Sequence, residues 1–380
     1  MTDWGDWSPQ ISAGSVNELT AYNLSGVWAA QTLIADAIST MPVDVFRKVG
    51  TTREPVEPPL WVDTPNYMSS RLDYDTSRIL SLLGWGNAYS VLMREGGSTD
   101  PRMPVRERYV LDPWKVSVRF EKNRPVYLFD GKPIDPANVQ HIRGYALPGS
   151  ALGMSVVSRA RSSLLLTQSA DQLGEKMFAN GLNPSGVLSV PNMPPESSKT
   201  IVDRLREQFS STYGGSVNAG KPMVLLGGTT WSSMSVTPVD AQWLETRKFQ
   251  LDEIGRWFRV APHLLGQVEK STSWGSGIEE QNRWFLTHTL RPWIARLEDA
   301  DSRLLEAGVS LRFNTNALLR ADTKTRYEAH SIARLGGWAS ANDVLALEDL
   351  PPIPNGDIYL QPLNYIEAGT RPAPEGIPNV

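Results

Sequence analysis

Two long proline-free runs flanking a small insertion constrain this chain more than any other feature. The run from Val156 to Ala179 extends for more than twenty residues with one internal glycine, Gly174. At about 1.5 Å per residue such a helix is roughly 35 to 40 Å long, and Asn180-Gly181 supplies its stop. A second helical run extends from about Val239 to Val260, with Leu244, Leu251, Ile254 and Phe258 at helical intervals. Between them lie a strand GVLSV, a PNMPP break, a helix with Ile201, Val202, Leu205 and Phe209 on one face, and a hairpin of MVLL and WSSMSVT joined by GGTT. The pattern predicts a compact βαββ insertion carried between two rods.

Ahead of this unit, Val27, Ala30, Ile34, Ile38 and Met41 recur at spacings of three and four, marking a helix that Pro42 ends. VDVFRKVG follows as a strand, and EPVEPPLWVDTPN reads as a proline-rich loop. Leu72 to Leu83 reads as a helix, and Asn87 to Arg94 as a strand. Short strands continue through Tyr109–Leu111, Val116–Phe120 and Val126–Phe129, with Asp130-Gly131 as a hairpin turn. The first 150 residues are expected to form an α/β unit. After the second rod, a third helix is predicted from Ile278 to Leu305, kinked at Pro292. The last residues, RPAPEGIPNV, read as an untethered tail. The chain as a whole reads as α+β.

Bulk properties exclude several functions. With 41% apolar and 21% charged residues the chain can bury a core. Its formal charge of -4, from 37 basic and 41 acidic residues, lacks the basic excess by which a protein clings to nucleic acid. Without cysteine there is no disulfide, thiolate nucleophile, iron–sulfur cluster or Cys-ligated zinc. MTDWGDWSPQ has no basic residue, so no signal peptide is expected. The longest uncharged runs, Leu19 to Ala35 and Ile79 to Met93, are shorter than a membrane span and interrupted by polar residues.

No catalytic motif is complete. Glu269-Lys270-Ser271-Thr272 has no glycine directly before the lysine, so it fails the phosphate-loop pattern where the backbone cradle is needed. Gly84-Trp85-Gly86-Asn87-Ala88-Tyr89 begins like a dinucleotide fingerprint, but Tyr89 replaces the third glycine and a strand follows. No GxSxG elbow occurs. His141, His263, His288 and His330 are scattered singly and read as structural or surface residues. Glu298-Asp299-Asp301 and Glu348-Asp349 read as solvated helix faces rather than cation sites, so no metal or cofactor is expected. The 13 tryptophans, among them Trp4, Trp7, Trp61, Trp114, Trp231 and Trp274, suit core packing and subunit interfaces.

An ordered set of segments resembles the portal proteins of tailed double-stranded DNA bacteriophages, in the shorter branch found in long-tailed phages. It comprises Met41-Pro42-Val43-Asp44-Val45-Phe46, then Leu82-Leu83-Gly84-Trp85-Gly86-Asn87-Ala88-Tyr89, then Phe178-Ala179-Asn180-Gly181 through Pro184-Ser185-Gly186. Phe258-Arg259-Val260-Ala261-Pro262-His263-Leu264-Leu265-Gly266 follows, and Thr289-Leu290-Arg291-Pro292 and Gly336 to Asp343 before Leu350-Pro351-Pro352 complete it.

The resemblance implies a non-enzymatic ring, typically of twelve subunits, at one capsid vertex of the virion, assembled in the host bacterial cytoplasm. Double-stranded DNA would pass through it without sequence specificity. Terminase, major capsid or scaffolding protein and a head-tail adaptor would be partners, and no membrane is involved. It implies a wing in residues 1–152, stem helices 153–180 and 238–260 around a clip at 181–237, a second wing part at 261–320 and a crown-like region at 321–380. Gln267, Val268, Glu269, Lys270, Ser271, Thr272, Ser273, Trp274, Gly275, Ser276 and Gly277 fall where the family has its tunnel loop. Asp240, Glu245, Asp252 and Glu253 are channel-lining candidates by position; equally, they could pair with Arg247, Lys248 and Arg256 at the subunit boundary. Another virion structural protein, such as an adaptor or minor head protein, is the alternative reading. A nucleotide-dependent enzyme resting on the Lys270 loop is a further one.

Overall fold

The apolar stripe read from spacing is the inner face of helix α1, Ser25–Ser39: Val27, Ala30, Ile34 and Ile38 are fully buried, and Met41 just beyond is nearly so. The computed structural model describes residues 16–122, 124–179, 186–189, 207, 230–233, 237–267, 281, 283–315, 323–348 and 350–360. Strand β1, Val43–Val49, follows and pairs antiparallel with β2, Thr52–Pro55, and with the late strand β11, Val309–Phe313. The proline-rich segment expected to be a loop, Glu54 to Asn66, takes in the last two residues of β2 and the short helix α2, Leu60–Asp63. Pairing with β1 and burial of Trp61 and Val62 override the local composition there.

Helix α3, Arg71–Trp85, starts at Ser70, whose side chain accepts from the Asp73 backbone N–H, and ends at Gly86 in the left-handed conformation. β3, Asn87–Arg94, runs between β4, Val105–Leu111, and β8, Val139–Arg143. β5, Val116–Glu121, β6, Arg124–Phe129, and β7, Lys132–Ile134, form a second meander. The β6–β7 turn is Asp130-Gly131, both at positive φ as a type I′ turn requires. Tyr89, Leu111 and Tyr127 form a core between these sheets. Every strand pairing among the described residues is antiparallel, so the body is α+β rather than alternating α/β.

The long helices are α4, Val156–Ala179, and α5, Thr237–Phe258. Of the insertion between them, β9, Gly186–Ser189, and β10, Thr230–Ser233, are described and pair antiparallel. The helix expected around Ile201 to Phe209 and the MVLL strand lie outside the described residues. Farther on, Phe285–Leu290 is a π turn leading into α6, Arg291–Ser302, with Pro292 in its first turn. A π turn lets a helix take in a residue that breaks its 3.6-residue register.

Helix α6 carries the buried charge that closes the body. Glu298 and Asp301, expected on a solvated face, are 2% and 1% exposed, whereas Asp299 between them faces solvent and pairs with Arg303. Asp301 takes both Arg78 guanidinium nitrogens at 2.8 and 2.9 Å, Arg108 Nη1 at 2.8 Å and Gln140 Nε2 at 3.0 Å. Arg78 also donates to Asp75 at 2.5 Å, and Arg108 stacks over Trp61 and Tyr74. Glu298 accepts from Arg312 and from the Phe313 backbone N–H, tying the same helix to β11. One helix face thus fastens α3, β4, β8 and β11.

A second unit, Thr315–Val380, contains α7, Thr323–Leu335, and α8, Ala341–Leu347. Gly337 turns the chain at positive φ, and Ser340 with Asp343 forms a capping box for α8. His330 and Arg326 both engage Glu348.

Burial alone would push the Asp301 carboxyl up, but Arg108 and Arg78 hold it near 2. Its stabilising contribution is therefore present above about pH 4 and lost as pH falls toward 2. Asp301→Asn, which leaves two buried guanidiniums facing one carboxylate, should cost roughly 3–5 kcal/mol in urea unfolding at neutral pH. A loss below about 1 kcal/mol, typical of exposed pairs, would show that the cluster is dispensable.

Candidate functional site

What the chain positions is the pair α4–α5, and the geometry at its root decides where it points. The helices pack through Leu164 and Ile254, both buried, with Thr167 donating to Gln250 at 3.1 Å and Arg247 pairing with Asp171 at 3.0 Å. Gly26 of α1 lies against α5: a Cβ there would come within 2.8 Å of Leu251 Cδ1. The first helix of the body therefore seats directly on the second rod.

The entry to α4 is a junction of three glycines and one asparagine. Gly86 at φ 75° faces the Met154 carbonyl, 2.2 Å from where a Cβ would stand. Its own carbonyl accepts from the Gly144 N–H at 2.8 Å and lies 2.0 Å from a Cβ built on Gly153. Asn87 grips Gly153 from both sides, accepting from its N–H at 2.8 Å and donating to its carbonyl at 2.9 Å. Ser155 donates to the Gly84 carbonyl and accepts from the Ser158 N–H, so the residue that caps α4 is also bonded to the end of α3. This is the role of the Gly84–Tyr89 segment, whose glycines look like part of a nucleotide fingerprint.

His141 completes the junction. It stacks on Tyr89 with ring centres 4.5 Å apart, and its Nε2 lies 3.0 Å from Asn87 Oδ1 while its Nδ1 faces the Tyr127 hydroxyl at 3.3 Å. A neutral ring serves both bonds, donating at Nε2 and accepting at Nδ1. Burial, with Arg143 adding to it, lowers the His141 pKa to about 4.

At its other end α5 closes in a Schellman turn: the Val260 N–H bonds the Gly255 carbonyl and the Arg259 N–H that of Arg256. Arg259 holds the left-handed position at φ 57° without being a glycine. Its guanidinium lies over the Tyr145 ring and donates to its hydroxyl, and its carbonyl accepts from Thr289 of the π turn at 2.5 Å. The turn and the later helix are thereby locked together.

The residues singled out from sequence fall unevenly on this frame. Gln267 donates to the Lys248 carbonyl at 3.1 Å, pinning the start of the proposed loop against α5. Val268 to Gly277 lie outside the described residues. Glu245 is exposed, Glu253 pairs with Arg256 within α5, and Asp252 is half-buried. Asp240 lies on α5, its side chain outside the described residues. No group of three metal-ligating side chains and no helix long and apolar enough to cross a membrane occurs among the described residues. Sequence reading missed the Asp301 cluster and the Asn87 clamp; the glycines at 84, 86, 144 and 153 were the visible signal of the latter.

The chain is thus an α+β body that clamps two long helices at their root. The model of the phage portal protein family matches residues 25–349, and this chain belongs to that family. A probable portal protein of Streptomyces phage phiC31 is 35% identical, covering 98% of this chain and 86% of the relative. The portal protein of Enterobacteria phage HK97 is 30% identical over 96% of this chain and 88% of its own length. The same fold occurs in the neck of a native gene transfer agent particle computed with C12 symmetry, with TM-score 0.57, 22% identity and coverage of 92% and 97%. The family is a structural, non-enzymatic one.

Gly86→Ala forces a side chain into the Met154 carbonyl at positive φ, and should destabilise the fold by more than about 2 kcal/mol by thermal or urea unfolding. A near-neutral effect would show that the junction relaxes freely. Because the folded state binds fewer protons than the unfolded chain between about pH 6.5 and 4, stability should decline as pH falls through that window. His141→Gln should flatten that part of the slope; an unchanged slope would assign it to another group.

Proposed function

We propose that copies of this chain close into a ring, most simply of twelve, forming the portal of a virion through which double-stranded DNA is packaged and later ejected. The observation that carries this reading is the clamped helix pair in a chain of the portal family. A ring that holds a moving polymer needs rods fixed at one end, and the Gly86–Asn87–Gly153 junction fixes α4 to the body. The C12 symmetry of the gene transfer agent neck supports the same stoichiometry.

In this reading residues 1–152 and 261–320 are wing, 153–180 and 238–260 the stem pair, 181–237 the clip facing terminase and then the head-tail adaptor, and 321–380 a crown-like region. The wing would face the major capsid or scaffolding protein. Gln267 to Gly277 form the tunnel loop, where Gly275, Ser276 and Gly277 give backbone freedom and Lys270 with Ser271, Thr272 and Ser273 touches passing phosphates. Asp240, Glu245, Asp252 and Glu253 are candidates for the channel wall. A net charge of -4 suits a channel that must let DNA slide, since many phosphate contacts would hold it by counterion release.

The test is light scattering with negative-stain microscopy on the purified full chain. Twelve copies of 42.1 kDa give an annulus of about 500 kDa with a central hole. Deleting residues 267–277 should leave that annulus intact while lowering DNA packaging or retention. A monomer under every condition would sink the ring; loss of the ring on deletion would make the loop architectural.

A further inference from the structure

Strand β8 is bonded along one side and open along the other. In the register that pairs Asn87 with Arg143 and Val91 with Val139, the Gly144 N–H donates to the Gly86 carbonyl at 2.8 Å. Hydrogen-bonded pairs alternate along an antiparallel ladder, so Gln140 and Ile142 bond β3 while the backbone groups of Val139, His141 and Arg143 point away from it. The Pro136 carbonyl takes the Val139 N–H. The backbone N–H and C=O of His141 and of Arg143 meet no protein group among the described residues. The opposite edge of the same sheet is occupied: on β4 the Arg108 N–H donates to the Pro65 carbonyl and the Arg108 carbonyl accepts from Asn66, both at 2.8 Å. An open row of donors and acceptors is a template for another extended chain.

A cavity of about 740 Å³ opens at β8. On one face of the strand His141 meets Tyr127, and on the other Gln140 bonds the Ala300 carbonyl of α6, so both walls flank the open edge. The lining is cationic: Arg94, Arg143, Arg296 and Arg303 face the carboxylate of Asp299, which Arg303 already pairs. Arg94, Arg143 and Arg296 donate to carbonyl oxygens and, among the described residues, pair with no carboxylate. We propose that this edge binds an acidic, extended peptide segment of a partner protein, added to the sheet beside β8 with carboxylates at alternate positions turned toward Arg296 and Arg303. In strand addition the main-chain bonds supply affinity, and side chains at every second position supply selectivity. Arginine meets carboxylates in short, charge-assisted pairs. A phosphate offers acceptors and would leave the His141 and Arg143 carbonyls unmet, whereas a peptide backbone matches donors and acceptors alike. The inference holds whether or not the ring reading does.

The test titrates the full chain into a fluorescently labelled, end-blocked peptide, Glu-Thr-Glu-Thr-Glu-Thr-Glu, whose threonines favour the extended form. Anisotropy should rise to saturation. The same peptide with glutamine for every glutamate should bind at least about ten-fold more weakly, since it loses the charge-assisted pairs. Two further versions carry methyl groups on the backbone nitrogens of either the threonines or the glutamates. One of the two removes the donors that face β8 and should also lose at least about ten-fold, because strand addition depends on those bonds. Hydrogen exchange should slow in the 139–144 segment when the unmodified peptide is bound. Absence of saturable binding, equal binding of the glutamine peptide, or protection confined to other segments would overturn the proposal. Full affinity in both methylated versions would reduce the groove to a site for anions at large and overturn it too. Protection of 139–144 that grows with protein concentration in the absence of peptide would assign the edge to a second copy of the chain instead.

Discussion

Asp301 is the carboxylate around which the body closes. It lies 223 residues from Arg78 and 193 from Arg108, yet all three are buried and bonded within 2.9 Å. A carboxylate stays ionised at that depth only because two guanidiniums and the Gln140 amide surround it. The two arginines need it equally, since Asp75 alone cannot neutralise both. The cluster is therefore formed only when α3, β4, β8 and α6 are all in place, which makes their assembly cooperative. Glu298, one turn away on α6, extends the same logic to β11 through Arg312.

From that closed body the long helices acquire a direction. The Asn87 amide grips both backbone groups of Gly153, and Gly86, Gly144 and Gly153 permit backbone approaches that no side chain would tolerate. Gly26 instead makes room for the Leu251 and Ile254 side chains of α5. Close backbone contact resists rotation better than interlocking side chains, which can change rotamer. The Schellman turn at Arg259 and the Thr289 bond extend the restraint past the end of α5 and into the π turn. Residues from four well-separated stretches thus meet at the root of two rods, as suits a protein whose task is to hold a geometry.

Much of this was legible beforehand. The spacing of Val27, Ala30, Ile34 and Ile38 named the buried face of α1, and the Asn87–Arg94 strand and the Val156–Ala179 helix have the bounds that their patterns indicate. The segments from Met41 to Asp343 pointed to the portal family, to which the chain belongs. Local pattern failed where partners are remote. EPVEPPLWVDTPN reads as a loop because its prolines are local, while its pairing partner β1 and the arginine over Trp61 are not.

The sequence by itself determined the helices, most strands, the long-helix layout and the family, because periodicity and turn chemistry act between residues a few positions apart. Only the tertiary structure decided which charges are buried and what the glycines near 86 and 153 are for. On α6, Glu298, Asp299 and Asp301 are chemically alike in sequence, but helical geometry turns two of them inward to arginines and leaves the third in water. That choice depends on groups brought together by the whole fold, and no window along the chain contains them.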